Sequence, residues 1–296
     1  MIPPRHLVLS GGGIKVISIV GALRVLEEND YMKHVKVISG VSAGAFLAFA
    51  VSIGLTLKTI EKLVVDIEFG VIRNITPDAL LGFPETLGID DGSKLRKFLE
   101  SILRVAAKVD PQITFSDLAS KPIQFKCWAT DLNTHMIREF SLKESPTVRI
   151  IDALHASMAI PMYFTPVIDP VTGHMLSDGG IQGALPIHHL TEEECEQCLA
   201  IGFCKPLVSD YEKGPDDLMS FMKAIFACLV HSRHENLINK WKHKVILIPV
   251  SGFQSWDFEI SRKDRSLLVQ RGVGAMTKWL GSVKCGARKI SRRFSV

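Results

Sequence analysis

Residues 37–45 read Val-Ile-Ser-Gly-Val-Ser-Ala-Gly-Ala: an apolar run, then Gly40-Val41-Ser42-Ala43-Gly44, then a helix-like continuation. This is the G-x-S-x-G pattern of a nucleophile elbow. A serine hydroxyl is a poor nucleophile unless it stands clear of the backbone beside a base, and a sharp turn from strand to helix achieves that. Such a turn crowds its neighbours, so only glycine or another small residue fits; Gly40, Ala43, Gly44 and Ala45 meet the demand. A helix N-terminus behind Ser42 also favours an anionic intermediate. A Gly-rich turn in which Ser42 merely caps the helix would use the same letters, so the pattern alone leaves both readings open.

The surrounding stretch, Val37 to Leu57, is 21 residues without a charge between Lys36 and Lys58, long enough to imitate a membrane span. The glycines and serines of the elbow occupy its first half. A buried strand, turn and helix at the centre of an α/β core accounts for the same apolar character.

Upstream, Leu7-Val8-Leu9 leads into Ser10-Gly11-Gly12-Gly13, and Ile14 to Glu28 carries apolar residues at helical spacing. A dinucleotide fingerprint would need glycine at position 16, where Val16 stands, and no G-K-[ST] follows for a Walker loop. The amides of such a loop still suit an anion. Downstream, Thr59 to Phe69 reads as an amphipathic helix and Gly82 to Gly92 as a turn-rich surface loop. Asp90 and Asp91 are expected to cap the helix predicted over Ser93 to Lys108. Ile123 to Ala129 reads as a strand entering Thr130-Asp131-Leu132-Asn133, with Met136 to Phe140 as its hairpin partner; Asp131 reads as a turn or structural residue. A helix over Val148 to Ile160 precedes strands over Tyr163 to Ile168 and His174 to Ser177, the last ending at Asp178-Gly179-Gly180. Leu199 to Phe203 and Val245 to Val250 read as buried strands, Asp216 to Trp241 and Arg262 to Leu280 as helices. The alternation predicts an α/β fold, a three-layer α/β/α sandwich around a largely parallel sheet.

In open α/β sheets, sites gather at the C-terminal ends of strands, and three features fall there: the glycine loop, Ser42 on its elbow, and Asp178 opening a glycine turn. Ser42 would attack an acyl carbonyl, Asp178 would take its proton, and loop amides would hold the oxyanion. With these residues in place the chain resembles the patatin-like phospholipases, whose pattern is G-G-G-x-[KR]-G, then G-x-S-x-G, then A-S-x-A-x-P-x-x-F-x-P, then D-G-[GA]. Gly11-Gly12-Gly13-Ile14-Lys15, the elbow, Ala156-Ser157-Met158-Ala159-Ile160-Pro161-Met162-Tyr163-Phe164-Thr165-Pro166 and Asp178-Gly179-Gly180 supply the motifs in order within residues 7–183; Thr130-Asp131-Leu132 also looks like the family. Beyond about 205 the resemblance is weak.

The resemblance implies a patatin-like fold and a Ser42–Asp178 dyad without histidine, cleaving fatty-acyl esters of phospholipids or acylglycerols with no metal and no cofactor. It makes Gly11, Gly12 and Gly13 the oxyanion hole, has Lys15 fix that loop, and leaves Gly40, Gly44, Gly179 and Gly180 as support. One departure matters. Val16 stands where the family has glycine, and a β-branched residue does not readily take φ > 0. Either the loop keeps an ordinary backbone there or the site is weakened, and the second case gives the alternative of a catalytically weak relative that binds lipid or a partner protein.

His188 and His189 could suggest a serine–histidine–aspartate hydrolase, but in α/β-hydrolases the elbow follows several strands and the histidine comes last; they read as loop residues. The six cysteines are unevenly spread and fit reduced thiols rather than a disulfide framework. Cys195, Cys198 and Cys204 with the two histidines could supply zinc ligands; the apolar run from Cys198 to Phe203 instead makes Cys195 and Cys198 small buried hydrophobes.

With 296 residues, 47% of them hydrophobic, the chain has ample material for one large core, expected over residues 1–283. Eight of the 35 Lys and Arg residues fall from Arg265 onward with no acid among them, leaving 27 against 31 acids before it. A basic tail over 284–296 on a mildly acidic body suits transient contact with an anionic membrane surface. The opening residues MIPPRHLVLSGGG lack the long apolar region of a secretory signal. The expectation is a cytoplasmic protein, peripheral on membranes, with a lipid substrate and no nucleic-acid partner.

Overall fold

Strands β1 (His6–Leu9) and β2 (Val37–Val41) run parallel, Leu9 opposite Gly40, at the centre of an eight-stranded sheet. This computed structural model describes residues 3–204, 214–232 and 241–293. Strand β4 (Gln124–Asp131) extends the parallel run beside β2, while β9 (Cys198–Phe203) and then β10 (Val245–Ile248) extend it beyond β1. Strand β5 (Ile137–Ser141) pairs antiparallel with β4 as the expected hairpin, and β8 (Met175–Asp178), itself paired with β7 (Val167–Ile168), also runs antiparallel to β4.

The crossovers from β1 to β2 through α1 (Ile17–Glu28), and from β2 to β4 through α2 (Ala43–Ser52), step in one direction along the sheet. Right-handed connection therefore places both helices on one face. Leu7, Leu9, Ile38, Phe125 and Ile201 are buried against them, together with α3 (Leu57–Asp66), α7 (Ile150–Ser157) and α10 (Arg262–Arg293). Helices α1 and α10 cross backbone to backbone: a Cβ on Gly21 would lie 2.0 Å from the Val269 carbonyl oxygen. The other face is covered more thinly. Val8, Ala200 and Val245 meet Leu185 and Ile187, the latter in the 3-10 turn Pro186–His189, with Cys195 of α8 (Glu192–Gln197) and Cys198. The two cysteines are thus packing residues, as their apolar context suggested.

The segment read as a surface loop, Gly82 to Gly92, is different. After α4 (Pro77–Leu81) and the short α5 (Phe83–Thr86), β3 (Gly88–Asp90) pairs in parallel with β6 (Met162–Phe164), and Ile89 and Asp90 are fully buried. Its turn-forming letters concealed a strand that exists only through this long-range pairing. Burial pushes the Asp90 carboxyl up, against the Asn74 and Gly92 amides that donate to it at 2.5 and 2.9 Å. Both aspartates meet the start of α6 (Ser93–Ser101), Asp90 at the amide of its N-cap Gly92 and Asp91 at the Ser93 amide, 2.9 Å away.

The uncharged stretch 37–57 forms the central strand, elbow and α2, mostly buried from Ile38 to Ser52, and the turn beyond, where Gly54 and Thr56 are exposed. No described helix is long and apolar enough to cross a membrane. Helix α9 (Leu218–Ser232) falls within the helix expected over Asp216 to Trp241, whose residues 233–240 lie outside the described residues. Helix α10 continues past Leu280 to Arg293, so the boundary expected at 283 falls inside it; residues 294–296 and the side chains from 284 onward lie outside the described part.

The elbow depends on close backbone approach. A Cβ on Gly44 would sit 2.4 Å from the Ser10 carbonyl oxygen, with backbone on both sides. Gly44→Ala is therefore expected to lower stability by about 2 kcal/mol or more, read from the urea midpoint; a change within experimental error would show that β1 and α2 separate freely.

Candidate active site

One edge of β4 is shared by two strands. Val37 to Val41 of β2 pair with Gln124 to Trp128, and Asp178 to Leu176 of β8 then pair with Ala129 to Asp131. Strand β5 occupies the opposite edge, since both Trp128 and Ala129 also pair with it. Strand β8 therefore takes the position that β2 vacates when the chain turns away at Ser42, and the two strand ends meet with Ser42 and Asp178 adjoining.

Ser42 leaves the strand with φ 53° and ψ −135°, a backbone geometry that costs a non-glycine residue about 1–3 kcal/mol. Its side chain makes no capping hydrogen bond to α2, which removes the helix-cap reading. Ser157, on α7, holds the strained turn: its Oγ accepts the Ser42 N–H at 3.0 Å and donates to the Trp128 carbonyl at 2.7 Å. Ser42 is 8% exposed and Asp178 is 1% exposed.

Burial pushes the Asp178 carboxyl up to about 7, partly offset by the nearby Ser42 hydroxyl and the Gly180 amide. Oδ1 accepts that amide at 2.6 Å, while the buried Oδ2 has no well-formed hydrogen bond. The approach of Ser42 to Asp178 is thus proximity rather than a closed hydrogen bond. The Asp178 backbone is pinned by its N–H to the Ala159 carbonyl at 2.7 Å and by Thr130 Oγ1 donating to its own carbonyl at 2.9 Å. A Cβ on Gly179 would meet the Trp128 carbonyl oxygen at 2.4 Å, so the following turn threads a gap fit only for glycine.

The glycine loop lies directly beside Ser42; a Cβ on Gly11 would stand 3.0 Å from that of Ser42. Its three amides are not equivalent. The Gly11 N–H is committed to the Ala184 carbonyl at 2.8 Å, whereas among the described contacts the Gly12 and Gly13 amides meet no protein acceptor. Gly13 sits at φ 55° with the Ser255 carbonyl pressed against it, and the same carbonyl accepts the Ile14 amide at 3.2 Å. Lys15 is half-buried, its amide donating to the Gly12 carbonyl at 3.2 Å. Val16 takes φ −59° and ψ −23° with its side chain in the core: the loop keeps an ordinary backbone there and needs no glycine.

Trp256, adjoining Ser255, packs on Phe226 of α9 at 5.4 Å between ring centroids and on Tyr163 at 6.1 Å. Phe226 in turn lies 3.8 Å from where a Cβ on Gly180 would be. This aromatic wall joins the glycine loop to the Asp178 turn. Sequence reasoning did not single out Ser157, Phe226 or Trp256, although Ser157 stands inside the A-S-x-A motif. His188 and His189 lie in the turn Pro186–His189, ring to ring at 3.8 Å, with His189 beside Trp128 at 5.7 Å. Asp131 is a structural partner: although burial opposes it, His174 at 2.7 Å and the Thr134 and Asn133 amides hold its carboxyl down to about 2.

The model of the patatin-like phospholipase family matches residues 7–191. The chain belongs to that family. It is 30% identical over 67% of its length to an uncharacterized protein of Acanthamoeba polyphaga mimivirus, covering 65% of that protein. It is 25% identical over 62% of its length to a protein of Invertebrate iridescent virus 6 described as a probable lipid hydrolase, covering 62% of it. Among solved structures, VipD from Legionella pneumophila superposes with a TM-score of 0.60 at 20% identity, over 95% of this chain and 67% of VipD. The patatin fold, a mostly parallel mixed sheet flanked by helices, is common to both.

Two measurements follow from the strain and the burial. Ser42→Gly, free to adopt the turn, is expected to be more stable than Ser42→Ala by about 1 kcal/mol in urea unfolding; equal stability would mean that the backbone relaxes without it. The raised Asp178 pKa means that the unfolded chain sheds its proton near 3.8 and the folded chain near 7, so stability falls as pH rises through that window. Asp178→Asn is expected to match wild type near pH 4 and to exceed it above pH 7, by up to about 4 kcal/mol; a constant difference across pH would contradict the buried-carboxylate assignment.

Proposed function

We propose that the chain is a phospholipase A-like acyl hydrolase, with Ser42 as nucleophile, Asp178 as base and the Gly12 and Gly13 amides as oxyanion donors. The observation that carries the reading is the shared edge of β4, where the end of β2 meets a carboxyl tuned near neutrality. A base with a pKa close to ambient pH both holds and releases a proton readily. The family and the viral relative described as a lipid hydrolase support lipid esters as the substrate class.

In this reading Asp178 Oδ2 removes the Ser42 hydroxyl proton as Oγ bonds to the acyl carbon. The carbonyl π pair moves onto oxygen, and the oxyanion lies against the Gly12 and Gly13 N–H groups. Collapse breaks the ester C–O bond, and the leaving alkoxide takes the proton from Asp178. The acyl chain remains on Ser42, beside the wall of Trp256, Phe226 and Tyr163. Water, deprotonated by the same carboxylate, then attacks the acyl-enzyme, and Ser42 regains its proton as the fatty acid departs. Each oxyanion donor is worth about 10² to 10³ in rate. The Gly11 amide, bonded to Ala184, positions the loop instead. The ordinary backbone of Val16, the residue on which the alternative of a catalytically weak relative rests, supports the hydrolase reading.

The test is release of fatty acid from phosphatidylcholine vesicles and of p-nitrophenol from a short-chain ester. Ser42→Ala and Asp178→Asn are each expected to lose about 10³-fold or more in kcat/KM. For wild type, log kcat/KM is expected to rise with unit slope and level off near pH 7, where Asp178 loses its proton. Full activity in either variant, or a flat profile from pH 5 to pH 9 (about two units either side of that pKa), would overturn the dyad.

A further inference from the structure

Two exposed apolar ridges flank the turn that carries Asp178. The first is a stripe on α9: Leu218, Phe221 and Ile225 are 61%, 53% and 41% exposed. Spacings of three and four residues align them on one helix face, while Met222 is buried on the adjoining face and Phe226 reaches inward to the Gly180 turn. The second is the β4–β5 hairpin tip with the start of β8, where Met136, Met175 and Leu132 are 65%, 42% and 38% exposed. Gln182, at the end of the Asp178 turn, ties the tip down by donating to the His135 carbonyl at 3.1 Å. Both ridges are thus anchored to the 3-10 turn Gly179–Gln182, one through Phe226 and the other through Gln182.

Isolated exposed hydrophobes are ordinary, but two clusters at the rim of one site are not. We propose that these ridges form a lipid-docking surface, seating the mouth of the Ser42–Asp178 site on a bilayer or micelle. The choice of occupant rests on the hydrolase reading above, because a lipid ester lies in an aggregate whose apolar layer the rim must reach. Leu218, Phe221, Ile225, Leu132, Met136 and Met175 are all uncharged, and the tip residues between Leu132 and Met136 include no Lys or Arg. Attachment here works by burying apolar side chains at the headgroup boundary and is indifferent to salt and to anionic lipid. That separates it from any contribution of the basic C-terminal end, which salt would screen.

The full-length Ser42→Ala protein, which retains the surface but does not turn over lipid, is floated with phosphatidylcholine vesicles at low and high salt. It is expected to bind equally at both. Phe221→Ser and Met136→Ser, in that background, are each expected to weaken partition by about tenfold with thermal unfolding unchanged. In the active protein the same substitutions should lower the ratio of vesicle to soluble-ester turnover. Failure to bind neutral vesicles, binding abolished by salt, or binding unaffected by both substitutions would overturn the proposal. So would sedimentation showing that Phe221→Ser turns a dimer into a monomer, since the face would then belong to a second copy. Partition does not depend on turnover: if wild type hydrolysed neither ester while the variants lost vesicle binding, the hydrolase reading would fall and the docking surface would stand.

Discussion

The division of one β4 edge between a parallel and an antiparallel strand is the constraint on which the site depends. A strand can extend along that edge only as far as the preceding one leaves it free, so β8 stops where β2 stops. The meeting point has no room for side chains on the turn beyond, which passes over the Trp128 carbonyl at Gly179. Ser42 and Asp178 are consequently set by main-chain pairing rather than by long flexible side chains. Placement by rigid elements is what the proposed nucleophile and base need, because small misplacements carry large penalties in rate.

That placement is energetically adverse in two ways, of which the surroundings offset the first. Ser42 holds a strained backbone, secured by Ser157 between its amide and the Trp128 carbonyl. Asp178 is a carboxyl kept out of water, with one oxygen accepting the Gly180 amide and the other without a well-formed hydrogen bond. A buried group without its partner is expensive, and such defects tend to collect where function requires them. The core around the sheet is mostly apolar, with Leu7, Leu9, Ile38 and Phe49 fully or almost fully buried, although Asp90 and Asp169 are buried elsewhere in it.

The sequence was legible where glycine forces a backbone decision. The loop at 11–13, the elbow at 40–44 and the turn at 179–180 all announced themselves, because a Cβ at those positions would collide with backbone or with neighbouring side chains. The central strands and α2 were legible from uninterrupted apolar runs. What escaped was whatever depends on distant pairing. Asp178 does not end a parallel strand as its neighbours do; it ends an antiparallel one that descends along β4. Strand β3 exists only beside β6, so its letters looked like a loop. The inequality of the three loop amides depends on Ala184, some 170 residues away, and no local pattern encodes it. Val16 looked like a defect because its position was compared with a motif; its own helical backbone removes the difficulty.

The family match ends at 191, yet the site does not. Ser255 presses its carbonyl against Gly13, Trp256 and Phe226 close one wall, and α10 packs along α1 behind the glycine loop. Residues after 191 thus contribute Phe226 and Trp256 to the aromatic wall, while the matched segment supplies Tyr163, the strand ends and the loop amides. Such a division leaves the strand ends fixed by the sheet while part of the surrounding wall comes from later helices and loops. Phe226 and Trp256 pack on one another at 5.4 Å and so join the Ser255 support of the glycine loop to the Asp178 turn.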